Sequence, residues 1–307
     1  MQATDMELVG TEQDVLQEGL ARIQAEVDAM FDAMLPVPSD TRAPLIEAMR
    51  YAAIGGGKRV RPMLLAATAE MYGVDRDAAV RAGCAVEAIH VYSLIHDDLP
   101  CMDDDDLRHG KPTLHKAFDE ATAVLAGDSL HAHAFEILSD LRTSADPFVR
   151  AELIATLATA SGKDGMAGGQ MMDIVAEEED YDLHTITRLQ QLKTGALLAA
   201  SVEMGAVLGR VPPEGRGHLR NYARDIGLAF QIADDLLDYE GDEEKAGKAL
   251  RKDDEQGKQT FVTLMGVDQA REQARVLVDQ AVGHLASHGS EADMLRALAR
   301  FIVERDR

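Results

Sequence analysis

The stretch from His96 to His115 holds six aspartates in twenty residues: Asp97 and Asp98, then Asp103 to Asp106 beyond a gap containing Pro100, with Arg108, His109 and Lys111 following. So many carboxylates repel one another unless cations share them. Hard divalent ions such as Mg²⁺ take oxygen ligands from one or two carboxylates and from substrate phosphates, so this spacing suggests a phosphorylated metabolite held through metal. A second cluster, Asp234, Asp235 and Asp238, lies inside the apolar segment FQIADDLLDYEGD. Asp234 and Asp238 stand at i and i+4 and share one helix face, while Ile232, Leu236 and Leu237 give the segment a buried side. Carboxylates laid against apolar surface without partners are costly. A charge run alone is more often a solvated loop, but the two clusters, 137 positions apart, read together as opposite walls of one cavity with several metal ions between them.

An acidic cavity that binds phosphate also needs basic groups. In RYAAIGGGKRVRP three glycines precede Lys58, Arg59 and Arg61; glycine lets backbone N–H groups approach a phosphate, and the neighbouring cations add charge-assisted hydrogen bonds. The spacing is not that of a P-loop. His90 lies seven positions before Asp97, two turns away on nearly the same helix face, although a lone histidine in an apolar helix is more often a core residue. Lys193 and Thr194 open a mostly apolar segment, where a lysine needs an anion. Gly168 and Gly169, followed by Gln170 and Asp173, suit a close helix approach with two polar groups aimed inward. Lys248, Lys252 and Lys258 lie in a hydrophilic loop able to close over a phosphate. Ser93 and Tyr92 precede Asp97 by four and five residues, up to roughly 7.5 Å along a helix axis, so they would sit deeper and limit any apolar tail that enters.

Helices must position these groups. Ala and Leu are abundant and are joined by Glu and Met, aromatics make up 4% and Trp is absent, a composition that favours helix, and alternating β-branched patterns are missing. The spacing predicts an amphipathic helix over the first residues, ended by Pro36 to Pro38, a long apolar helix over 76–98 running into the first aspartates, and further helices through the C-terminal part. With 307 residues, 46% of them hydrophobic, the chain can bury a large core, and no composition break or internal repeat divides it. A net charge of −23 argues against nucleic acid and anionic membrane surfaces as partners. Cys84 and Cys101 offer no disulfide framework, the start of the chain lacks a signal peptide pattern, and the apolar run from Gly195 to Gly209 is too short to span a bilayer. A cytoplasmic protein without a membrane span is expected.

In order and spacing, Gly56-Gly57-Lys58-Arg59-Val60-Arg61-Pro62, Asp97-Asp98-x4-Asp103, Arg108, Lys193-Thr194-Gly195, Phe230-Gln231-x2-Asp234-Asp235-x2-Asp238 and Gly257-Lys258-Gln259-Thr260 resemble the trans-polyprenyl diphosphate synthases, and within them the bacterial farnesyl diphosphate synthases. The resemblance covers about residues 40–265. It implies an all-α, single-domain bundle of ten or more helices around a deep central cavity, spanning residues 1–307 and acting as a homodimer. It also implies three Mg²⁺ ions: Asp97 and Asp103 would hold two and Asp234 the third, with Asp98, Asp235 and Asp238 orienting waters and neighbouring ligands. Arg108, Lys193 and Lys258, and more weakly Lys248, would hold an allylic diphosphate. Gly57, Lys58, Arg61 and His90 would hold isopentenyl diphosphate, and Thr194 with Gln231 would face a carbocation.

The implied reaction joins isopentenyl diphosphate to dimethylallyl and then geranyl diphosphate. Two positions refine it. His109 stands where the family usually has a second arginine, which predicts a weaker, pH-dependent isopentenyl diphosphate site. Tyr92 occupies the position whose aromatic side chain stops family products at fifteen carbons, which predicts farnesyl diphosphate. A geranylgeranyl diphosphate synthase would differ only in cavity depth. A terpene cyclase would not need the Lys58, Arg61 and His90 set, and a metal phosphohydrolase would use His96 with Asp97 as ligands.

Overall fold

The computed structural model describes residues 3–176, 179, 181–240 and 259–304, with side chains from residue 14 onward. The expected all-α bundle of more than ten helices is what forms. Helices α1 (Ala3–Met34), α2 (Ala43–Ala53) and α3 (Val60–Met71) lead into α4 (Arg76–Asp97). After the acidic loop come α5 (Leu114–Ala117), α6 (Glu120–Ser139), α7 (Pro147–Ser161), α8 (Met166–Val175) and α9 (Leu183–Gln190). A π-helical turn, Gln191–Gly195, joins α9 to α10 (Ala196–Leu208), and a 3₁₀ turn precedes α11 (Gly217–Glu240). Beyond residue 258 lie α12 (Phe261–Met265), α13 (Val267–His284) and α14 (Asp293–Glu304).

Helix α4 is the central element. Asp75 caps it by accepting from the Ala78 N–H at 3.2 Å, the satisfaction of an orphan donor that favours Asp at this position. Its residues are buried almost all round, with Val86 and Ile89 fully enclosed, each removal from water contributing roughly 1.5–3 kcal/mol. It packs between α3 and α6, with α1 and α10 alongside. This helix is long and apolar enough to cross a membrane, but 72% of its apolar window is buried inside the protein. Glycines set the closest approaches: a Cβ on Gly205 would lie 2.6 Å from the Leu65 carbonyl oxygen, so α10 can lie against α3 only without one. Buried apolar residues form one connected core from Leu16 to Ile302.

The helical expectation misses one element. Leu107–Arg108 (β1) pairs antiparallel with Lys111–Pro112 (β2), Leu107 opposite Pro112 and Arg108 opposite Lys111. His109 and Gly110, at φ 51° and 74°, make the two-residue left-handed turn that matches the twist of a hairpin. Tyr51 Oη on α2 donates to the Pro112 carbonyl at 2.9 Å, fixing this ribbon over the glycine-rich segment.

Candidate active site

The first carboxylate group is shaped by the end of α4. The chain folds back so that the Asp103 N–H donates to the Asp97 carbonyl at 2.8 Å and the Asp104 N–H to the Leu99 carbonyl at 3.2 Å, which closes the four-residue gap and returns Asp103 to Asp97. Asp98 is buried and accepts from Arg108 Nε at 3.0 Å and from Arg108 Nη2; Arg108 also reaches Asp105 at 3.3 Å. Burial first, then the carboxylates of Asp103 and Asp98, push Asp97 up to about 6, against the opposing pull of Lys193 and Arg108. Burial, more than any neighbour, thus disfavours the charged form of Asp97.

The second group rides on α11, where helical spacing sets its directions. Asp234 lines a cavity of about 550 Å³ together with Asp98, Arg108, Arg61, His90 and His109, so residues from both aspartate clusters share one hollow. Asp235 faces elsewhere. Only 6% exposed, it accepts from Gln231 Nε2 at 3.2 Å and from the Phe261 backbone N–H at 2.9 Å, the first residue of α12, which Thr260 and Thr263 cap reciprocally. Asp98 and Asp235, which the sequence grouped with the metal carboxylates, thus each engage a neighbouring element, in keeping with an orienting role. Asp238 is half-buried one turn beyond Asp234.

The opposite wall of the cavity is cationic. Gly55 and Gly57 adopt φ of 75° and 73°, which only glycine takes without strain, and the turn delivers Lys58 and Arg61 to the lining. Between them Arg59 is itself left-handed at φ 52° and buried at 3% exposure, its guanidinium taken up by protein partners. Its guanidinium bonds Glu87 at 2.7 Å, Asp28 at 2.8 Å and the Ala53 carbonyl at 2.6 Å. A residue held in this sparsely populated conformation persists only when its surroundings over-determine it, and three buried bonds do so here. Arg61 Nε has no hydrogen-bond partner among the described residues. Burial lowers the pKa of Arg61, against the pull of Glu87 and Asp234, and burial followed by the charge of Arg61 holds His90 well below its ordinary value. The side chain of His109 stands against Gly56 and Gly57, with its pKa lowered by burial and then by Arg108, Arg59 and Lys111.

Lys193 and Thr194 occupy the π-helical turn, a conformation common at functional sites. The anion that Lys193 needs is in part the protein's own: Nζ donates to Asp173 Oδ2 at 2.8 Å. The close approach expected at Gly168 and Gly169 occurs here, since a Cβ on Gly169 would lie 2.2 Å from the Lys193 nitrogen. Tyr92 stacks edge-on against His131, ring centroids 4.9 Å apart, and against His96 at 5.7 Å. Ser93 Oγ donates to the His90 carbonyl at 2.8 Å, within its own helix. His96 Nε2 meets the Val124 carbonyl at 3.2 Å, in a space that exists because residue 127 is glycine. Lys248, Lys252 and Lys258 lie outside the described residues.

Sequence reading passed over three contributors. Glu87 lies one turn before His90, a helical spacing that could have revealed it, and Lys111 lines the cavity beside the glycine turn. Asp28 carries no local signal, because its link to Arg59 is purely tertiary. Among the described residues no three His, Cys, Asp or Glu side chains converge into a ready-made cage. The donor set fits Mg²⁺ nevertheless: it offers carboxylate oxygens beside room for a substrate that brings phosphate oxygens, as Mg²⁺ sites commonly do.

Comparison with known proteins accords with this geometry. The polyprenyl synthetase family model matches residues 42–299. The chain is 43% identical to a farnesyl diphosphate synthase of Escherichia coli, over 96% of this chain and all of that one. It is similar in structure to an FPP/GFPP synthase of Zymomonas mobilis (57% identity, TM-score 0.87, 94% of this chain and 98% of that one). It is similar as well to a geranyltransferase of Helicobacter pylori solved with magnesium and isoprenyl diphosphate (32% identity, TM-score 0.78, 93% and 96% covered). With matched residues running from α2 into α14 and taking in both aspartate clusters and the glycine turn, the chain belongs to the polyprenyl synthetase family.

Proposed function

We propose that this chain is a prenyltransferase that adds isopentenyl diphosphate to dimethylallyl and then geranyl diphosphate and releases farnesyl diphosphate. One observation carries the reading: a single cavity is lined by Asp98 and Asp234 and also by Lys58, Arg61, His90 and His109, which we read as provision for two diphosphates rather than one. Arg61, with an unpartnered Nε, is ready for an anion. A terpene cyclase has no use for this second anion site, and neither has a phosphohydrolase that would pair His96 with Asp97.

Asp97, Asp103 and Asp234 would hold Mg²⁺, three ions in all, with Asp98, Asp235 and Asp238 orienting what surrounds them. When bound, Mg²⁺ supplies Lewis-acid stabilisation to the departing diphosphate. Arg108 and Lys193 add fixed positive charge to that leaving group, with Lys258 and Lys248 assigned to the same task, a preorganised arrangement of the kind that contributes most to catalysis. Arg108 is aimed by Asp98 and Lys193 by Asp173. Gly57, Lys58, Arg61, His90 and His109 hold isopentenyl diphosphate so that its double bond attacks the allylic cation. Thr194 and Gln231 face that cation, and apolar helix faces exclude the water that would quench it. The departing diphosphate takes the proton lost when the new double bond forms. Tyr92, with Ser93 beside it, closes the deep end at fifteen carbons. The same reading takes residues 1–307 as one synthase unit, working as a homodimer in the cytoplasm.

Incubation with labelled isopentenyl diphosphate, dimethylallyl diphosphate and Mg²⁺, followed by product chromatography, tests it. A fifteen-carbon product is expected. A twenty-carbon product would identify a geranylgeranyl synthase, and diphosphate release without isopentenyl diphosphate would overturn the reading.

A further inference from the structure

The hairpin of β1 and β2 sets two cations face to face. Its two-residue turn makes Arg108 and Lys111 direct cross-strand partners, and like charges opposite one another on an antiparallel pair repel. Arg108 is compensated, by Asp98 at 3.0 Å and by Asp105 at 3.3 Å. Lys111 is not: among the described residues Lys116 pairs with Asp106 at 2.8 Å and Lys193 with Asp173 at 2.8 Å, whereas Lys111 forms no ion pair.

The place of that ammonium shows what would offset the repulsion. Lys111 lines the same cavity as Arg61 and His90, and its Nζ stands 3.8 Å from the point a Cβ on Gly55 would occupy. The His109 ring follows along the turn, with Nδ1 3.8 Å from the corresponding point on Gly56 and Cε1 3.8 Å from that on Gly57. One ammonium and one imidazole thus stand over the three glycines. At Gly55 the backbone has no donor left, because its N–H already bonds Asp28 Oδ2 at 3.2 Å, and Asp28 is itself neutralised by Arg59 at 2.8 Å. An anion reaching that end of the turn must be met by a side chain. The ribbon carrying Lys111 is fixed on both strands: Tyr51 Oη holds the Pro112 carbonyl at 2.9 Å, and Thr113 donates from its N–H to the Asp106 carbonyl at 3.0 Å and from Oγ1 to the Asp105 carbonyl at 2.7 Å.

We propose that Lys111 is a further substrate-binding residue, its ammonium meeting the diphosphate of isopentenyl diphosphate at the Gly55 end of the turn. The assignment rests on the prenyltransferase reading of the cavity. An ammonium, with an ordinary pKa of about 10.4, keeps its full charge at neutral pH, and an imidazole, at about 6.5, does not. His109 therefore offers the anion chiefly a hydrogen bond, and Lys111 offers it fixed charge. The exposed side chain of Lys111 is a point charge on a four-carbon stem, which can follow an anion as it enters. Once bound, the diphosphate relieves the repulsion between Lys111 and Arg108.

Steady-state kinetics of the full chain, with each substrate varied in turn, tests the assignment. Lys111→Ala should raise KM for isopentenyl diphosphate about 10-fold, Lys111→Glu should raise it further, and Lys111→Arg should recover most of the loss. KM for dimethylallyl diphosphate should stay near that of wild type in all three, the split expected when binding of one substrate alone is weakened. Lys116→Ala, which removes a cation already paired with Asp106, should change neither. A second measurement uses wild type alone: isopentenyl diphosphate should slow acetylation of Lys111, read by peptide mass spectrometry, and leave that of Lys116 unchanged. If KM for isopentenyl diphosphate in Lys111→Ala matches wild type, or rises equally for both substrates, the assignment is overturned and the prenyltransferase reading stands. Acetylation of Lys111 that the substrate does not slow has the same force. Wild type that consumes no isopentenyl diphosphate would defeat the reading itself, and the assignment with it.

Discussion

The two aspartate clusters look alike in sequence and are built by different means. In the first, Asp97 closes a helix and Asp103 returns to it through loop hydrogen bonds; in the second, Asp234 and Asp238 are aligned by the pitch of α11 alone. Yet the two doublets share one feature. The second aspartate of each doublet is buried and engaged, Asp98 with Arg108 and Asp235 with the Phe261 N–H. The first aspartates differ: Asp234 itself lines the cavity, whereas in the first cluster the lining residue is Asp98 and Asp97 is raised chiefly by burial. The lesson is that the second acid of each doublet is engaged in fixing its surroundings, whichever backbone carries it.

The comparison can be broken at several points. The largest effect is expected from Asp234→Ala, which should lower kcat by about 10²–10⁴-fold in steady-state assays and leave the melting temperature near that of wild type. A smaller loss of activity would mean that the helical cluster is not equivalent to the loop cluster. Asp235→Ala should instead cost about 1–3 kcal/mol of stability, because it leaves the buried Phe261 N–H unpaired, as measured by denaturant unfolding. Asp98→Ala should cost less stability, since Arg108 keeps Asp105, and should raise KM for the allylic substrate.

Asp97 gives a test with a definite sign. Its native pKa of about 6 lies above the ordinary carboxylate value near 3.9, so the native state binds the proton more readily than the unfolded chain. The resulting penalty on native stability is complete above about pH 6 and disappears as pH falls towards about 4. In Mg²⁺-free buffer at pH 8, Asp97→Asn should therefore stabilise the protein by about 1–3 kcal/mol while abolishing activity, and the gain should fade in a calorimetric series down to pH 4. The smallest change in rate is expected from Tyr92→Ala. Removing the ring that packs on His131 and His96 should lengthen the product beyond fifteen carbons, as read by chromatography.

Much of this was legible in the chain. Helix α4 occupies almost the residues its apolar run predicts, and the aspartate spacings, the glycine turn and the inward polarity of Asp173 all follow from local pattern. What escaped is tertiary or depends on unusual backbone. The Arg59, Glu87 and Asp28 network joins three separate helices or turns, so no window of sequence contains it. The hairpin at Leu107–Pro112 is two residues per strand, too short for an alternating pattern, and its left-handed His109 has no compositional signature. The sequence shows that Asp98 and Asp235 are carboxylates beside the metal group but not that Arg108 and the Phe261 N–H are what they touch.

The π-helical turn at Gln191–Gly195 has a consequence for how this chain can vary. A π turn holds one residue more than an α turn, so deleting any one residue there would let the segment relax into ordinary helix. The α turn left behind would sweep nearly the same angle as the π turn it replaces, so α9 would keep its phase relative to α10, while the side chains inside the turn, Lys193 and Thr194 among them, would be redirected. Loss of one residue there should therefore be borne by the bundle and felt at the site, because the wide turn absorbs an extra residue without disturbing the helices on either side.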